Sequence, residues 1–352
     1  MSTQPSDPTP RGRGFRWPAE WWPHEATLLA WPHDTTTFPT NLERVEDAFA
    51  AFASIISRGE LVHMLVGDEA MANRAMAKLQ DAGAEDVLLH LEPTADVWFR
   101  DYGPITLIKP KGKKHTVRLS VDFTYNAWGG KYESLLADDT IPVRMQDALG
   151  IELLSTDFVL EGGSIDGDGE GTILTTEQCL LNPNRNPDLS KEEIEDTLGM
   201  FLGAQKVLWL GEGVIGDDTD GHIDDITRFV APGKVVTAVQ PNTDDPDHAP
   251  LADNLERLRG MTDAKGRELE IVELPMPDPL LDADGERLPA SHANFYVCNH
   301  AVCVPIFGSS TDDKALSVLG DCFPEREVVG IRCEDIVQGL GTLHCISQQV
   351  PL

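Results

Sequence analysis

The strongest constraint on the fold is a pattern that returns five times. The segments VWFRDYGPI, VLEGGSID, DTDGHIDDITRFV, SHANFYV and LGTLHCIS each set polar residues against a strand-like run, near positions 101, 161, 222, 294 and 345. Recurrence at such intervals suggests repeated modules, each delivering one polar group to a common centre, although the period is looser than in a regular repeat array. Helical signals fall between the segments. NLERVEDAFAAFASIISRG carries Val45, Phe49, Phe52, Ile55 and Ile56 at helical spacing. SKEEIEDTLGMFLG opens with Ser190 three residues before Glu193, a capping box. DEAMANRAMAKLQDAG and PLADNLERLRG are further helices, and ELVHMLV, KVVTAV, ANFYVCN and EVVGIRC read as strands. This alternation predicts an α/β fold. The loops PNTDDPDHAP and LPMPDPLLDADGERLP are too short for interdomain linkers, so a single domain over 15–352 is expected, preceded by a disordered Pro-rich tail over 1–14.

Composition narrows the function. The formal charge of −31 argues against nucleic acid, which needs clustered Lys and Arg. Such a charge serves solubility, adaptation to salt or attraction of cationic ligands, and by itself it does not choose among them. No apolar run reaches about eighteen residues, so no membrane span is expected, and no secretory signal opens the sequence. The six cysteines (Cys179, Cys298, Cys303, Cys322, Cys333 and Cys345) form no C-x-x-C pair. That spacing argues against a metal site or a disulfide framework and for a reduced, cytoplasmic setting. The sequence does not fix an oligomeric state; a homodimer is the assembly considered.

Cys345 raises the chemical question. A free thiol is mostly protonated at neutral pH and needs a base or a positive neighbour to react. If LHCIS is extended, adjacent His344 faces away from it and is a packed or surface histidine. On an extended DGHID, His222 and Asp224 share a face and Asp225 points the other way. GDDTD lacks calcium-loop spacing and reads as an acidic turn, and DGDGEG as a hairpin turn. Glu161 precedes two glycines that allow close approach. Asp96 and Asp101 are both candidates in DVWFRDYGP, where Trp98 could stack on a planar cation. Several carboxylates around one thiol suit a delocalised cation, because carboxylates pair with guanidinium in bidentate fashion.

Eight co-linear motifs (WPAEWWPHEATLLAWPH, WFRDYGP, NAWGGKY, LEGGSI, TTEQCLLNPNRNP, DDTDGHIDD, SHANFYV and LHCISQQ) resemble the agmatine deiminase and bacterial-type peptidylarginine deiminase family. The resemblance runs from about Phe15 to Leu352 and implies a pentein, a five-fold pseudosymmetric α/β propeller with its active site in the central channel. It implies Cys345 as nucleophile, His222 as acid/base, Asp101 (rather than Asp96) and Asp224 as guanidinium ligands, and Glu161 beside the histidine. Trp98 would lie against the substrate and Asn294 would be a pocket residue. The resemblance implies a guanidine substrate and no cofactor; the acidic composition and the lack of an export signal favour agmatine, then arginine in peptides or proteins, then free arginine, with an amidinotransferase as the alternative class. Many agmatine deiminases read GGGNIHC where this chain reads GLGTLHC, so Leu340, Thr342 and Leu343 differ, and many carry tyrosine where His292 stands.

Overall fold

Each of the five polar segments precedes the first strand of a separate small sheet. The computed structural model describes residues 7–111 and 115–352, and its strands form five sheets. Ile105–Lys111 runs antiparallel to His115–Thr124, which runs parallel to Glu152–Val159. The same antiparallel-then-parallel order recurs for Asp166–Gly167, Thr172–Thr176 and Lys206–Leu210. It recurs for Thr227–Ala231, Lys234–Val239 and Glu270–Pro275, and for Tyr296–Val297, Ala301–Ile306 and Glu327–Arg332. In the fifth sheet the lead strand is the C-terminal Gln348–Pro351. It pairs antiparallel with His24–Ala30, which runs parallel to Leu61–Val66 and so joins the two ends of the chain. Val87–Leu91 extends that sheet. The architecture is a five-fold pseudosymmetric α/β propeller.

Helices cover the sheets where the sequence signals them. Leu42–Ile56 is capped by Asn41, whose side chain accepts from the Arg44 amide, and it buries Val45, Phe49, Phe52 and Ile56. Lys191–Leu202 carries the Ser190–Glu193 capping box and stops at left-handed Gly203. Glu69–Asp81 and His248–Leu258 complete the expected set. ANFYVCN is strand only at Tyr296–Val297. Within the expected tail, residues 1–6 lie outside the described residues, and 7–14 fold into turns: the Arg11 amide donates to the Met200 carbonyl (3.1 Å) and the Phe15 amide to the Pro10 carbonyl (2.9 Å). Pro10, within the stretch whose Pro content suggested disorder, serves here as a turn residue.

Candidate active site

The five polar groups come from turns immediately before the lead strands, not from the strands themselves. Asp101 sits in the helical turn Phe99–Tyr102, Glu161 precedes the turn Gly162–Ser164, and His222 precedes the turn Ile223–Asp225. Asn294 and Cys345 also occupy turn or loop backbone. Turn geometry cancels the strand-parity expectation for side-chain direction. Asp225, expected to point away, instead brings a carboxylate oxygen within 4.8 Å of both the Asp224 carboxylate and the Cys345 sulfur.

Gly163 shows how tightly the set converges. A Cβ on Gly163 would lie 2.6 Å from His222 Nδ1, 2.8 Å from Asp101 Oδ1 and 3.0 Å from Asp224 Oδ2. Three side chains, one from the first module and two from the third, thus share the room that a missing side chain in the second leaves. Asp101 accepts from Trp128 Nε1 and from the Gly163 amide, each at 2.9 Å. Burial, followed by the Asp224 and Glu161 charges, pushes its carboxyl well above the usual range. Burial also pushes His222 down to about 3 despite the nearby Asp224 charge, so its ring is neutral at pH 7. Neither ring nitrogen of His222 has a hydrogen-bond partner among the described residues, and the same holds for Glu161 Oε2 and Asp224 Oδ1. These buried, uncommitted atoms mark polar groups available to a reactant.

A second layer fixes the carboxylates. Arg185 Nε donates to Glu161 Oε1 at 2.6 Å, with both side chains fully buried. The sequence analysis passed over Arg185, whose only signal was a cation inside the motif NPNRNP. His344, expected to look away from the centre, lies behind it: Nδ1 meets Asp224 Oδ2 at 2.6 Å and Nε2 meets Glu20 Oε2 at 2.8 Å. Burial opposes the ionised form of Glu20, but Arg228, His344 and Arg100 hold its carboxyl well below the usual range. Asp217, from the acidic turn, accepts from the Thr219, Gly221 and His222 amides and so braces the loop carrying the histidine.

Cys345 Sγ lies 3.0 Å from Asn294 Nδ2 and 3.6 Å from Asp224 Oδ2. Asn294 Oδ1 accepts from Thr342 Oγ1 and from the His344 amide. Asn294 therefore holds the thiol and its turn; like His222, Asp224 and Glu161, it is not among the residues that line the cavity. Burial, then Asp224, Asp225 and Asp101, push the Cys345 thiol well above its ordinary value. A cavity of about 200 Å³ ends at Cys345, lined by Trp98, Asp101, Trp128, Leu135 and Leu340, with Asp34, Asp96 and Asp218 also on its wall. Asp96 is committed to Thr37 Oγ1 (2.6 Å) and Trp98 Nε1 (3.0 Å). His292 is bound to Pro275 O and Asp312, and it too lies outside the cavity lining.

Residues 16–351 match the sequence profile of the Porphyromonas-type peptidyl-arginine deiminase family. A Selenomonas ruminantium protein, whose name assigns it provisionally to the agmatine deiminases, is 41% identical over 98% of each chain. The agmatine deiminase of Enterococcus faecalis superposes with a TM-score of 0.90 at 33% identity, over 99% of both chains. A cysteine-to-serine variant of the C. jejuni agmatine deiminase, with substrate bound, superposes at 0.85 with 30% identity, over 96% of both.

Proposed function

Since the chain belongs to the Porphyromonas-type peptidyl-arginine deiminase family and is a guanidino-group deiminase, we propose that its substrate is agmatine, hydrolysed to N-carbamoylputrescine and ammonia for putrescine formation. One observation carries the choice: among the described residues the cavity above Cys345 is lined by Asp34, Asp96, Asp101 and Asp218 and by no Lys or Arg. A dication fits such walls, whereas free arginine would bring a carboxylate with no cation to meet it.

Asp101 and Asp224 clamp the guanidinium and hold its carbon beside Cys345 Sγ, and orientation of this kind removes several kcal/mol of barrier. The bound cation also offsets the carboxylate charges that keep the thiol protonated. Neutral His222 takes the thiol proton as the S–C bond forms, then delivers it to the departing nitrogen as the C–N bond breaks. Ammonia leaves a thiouronium on Cys345. Water attacks that carbon and gives a proton to His222, with Glu161 beside the ring. The C–S bond then breaks as the ureido carbonyl forms, the adduct's hydroxyl proton passes to the sulfur to restore the thiol, and His222 releases its proton to solvent. Arg185 keeps Glu161 compensated throughout.

The test is to assay purified protein for ureido product and ammonia with agmatine, free arginine and an arginine-containing peptide. Agmatine is expected to give the highest kcat/KM. Preference for the peptide would replace agmatine with peptidyl-arginine, and product formation only in the presence of an acceptor amine would indicate amidino transfer.

A further inference from the structure

Among the described residues, four that are not glycine have left-handed φ: Ala127 (54°), Trp128 (53°), Asp220 (69°) and Leu340 (73°). Residues with a Cβ disfavour this backbone, and where it persists near a site it points to a local task. Trp128 and Asp220 have visible tasks. Trp128 Nε1 donates to Asp101, Asp220 receives Lys131 and Arg185, and Ala127 shares the Trp128 turn. Leu340 has only an aliphatic side chain, which lines the cavity with Trp98, Trp128 and Leu135.

Its neighbours sharpen the point. Gly339 and Gly341 are absent from the left-handed glycines and serve for room. A Cβ on Gly339 would come within 2.8 Å of Phe38 and Thr37; one on Gly341 would come within 2.5 Å of the Trp98 ring and 3.0 Å of Cys345 Cβ. Glycine thus fills the two positions that need space, while leucine fills the one that needs conformational freedom. The Leu340 side chain must contribute something that a glycine there would lose.

We propose that Leu340 is a specificity-determining residue, a wall that packs against the unbranched alkyl chain of the guanidine substrate and favours linear alkylguanidines over chainless ones. This rests on the guanidine deiminase function proposed above. Burying one methylene changes affinity about four-fold, so a wall contacting two or more is worth about ten-fold or more.

Two variants separate the wall from the strain. Leu340→Ala removes the wall and keeps the left-handed Cβ, whereas Leu340→Gly removes both. In each, kcat/KM for agmatine is expected to fall about ten-fold, mainly through KM. Alkylation of Cys345 by 2-chloroacetamidine, which has the cationic head and no chain, should change less than two-fold. The Gly variant should melt no lower than the Ala variant, reversing the usual order. Agmatine kinetics unchanged in both variants would overturn the proposal. So would equal losses with both probes, which would mean that the turn holding Cys345 had been displaced. Wild-type protein that turns over no guanidine would overturn the deiminase function itself, an outcome visible before any variant is made.

Discussion

Cys345 is held as a thiol by its surroundings when no substrate is present. Burial and three nearby carboxylates raise its pKa well above the ordinary value, and His222, 3.8 Å from Asp101, is neutral as well. A neutral alkylating agent reports this directly, because only the thiolate reacts. Inactivation by iodoacetamide should keep accelerating beyond pH 9, with no plateau near neutrality; a plateau at pH 6–8 would show a preformed thiolate and remove the need for a cationic trigger. The residue types of the centre were legible in the sequence: Cys345, His222, Glu161, Asp101 and Asp224 do meet. What sequence could not supply was direction. Side-chain parity assumed strands at DGHID and LHCIS, and both are turns, so Asp225 comes beside Cys345 and His344 behind Asp224. Arg185 gave no sign of its role, since an arginine in a loop motif is ordinarily solvated.

At the scale of elements, the segment leading into the first strand braces the active-site turns from behind. Glu20 Oε2 receives Arg228 from the third sheet and His344 from the nucleophile turn, and Oε1 receives the Val297 amide from the fourth sheet. The spacing of the five polar segments announced the modules, but WPAEWW gave no hint that one of its residues would join several of them, because that depends on where the chain's ends meet. Removing one partner from a buried ionic cluster costs about 3–5 kcal/mol, so Glu20→Gln should destabilise the fold by about that amount at pH 7. Glu20 is held below its ordinary 4.5, so its contribution is complete above that pH and fades as pH falls toward its folded value. The gap between wild type and Glu20→Gln in urea melts should therefore be widest at neutral pH and narrow below about pH 4.5. A gap independent of pH would mean that the loss comes from packing and not from charge.

For the molecule as a whole, the charge of −31 acts on two quantities that salt moves in opposite directions. Like charges repel across the folded surface, and screening relieves the repulsion, since the Debye length falls from about 10 Å at 0.1 M to about 3 Å at 1 M. The melting temperature should therefore rise with KCl over that range. The same negative potential draws cations toward the cavity, whose wall includes Asp34 and Asp218, and screening weakens that attraction. kcat/KM for agmatine should fall several-fold as the melting temperature rises, and the fall should scale with ligand charge. Dicationic agmatine should lose about twice as much, on a logarithmic scale, as the singly charged 2-chloroacetamidine loses in its rate of Cys345 alkylation. If both probes are insensitive to salt while stability climbs, the acidic surface serves solubility or salt tolerance and the substrate feels only the carboxylates it touches. If stability falls with salt, surface ion pairs such as Arg144–Glu92 and Arg267–Glu170 outweigh the net repulsion, and the charge excess is distributed so that it does not strain the fold.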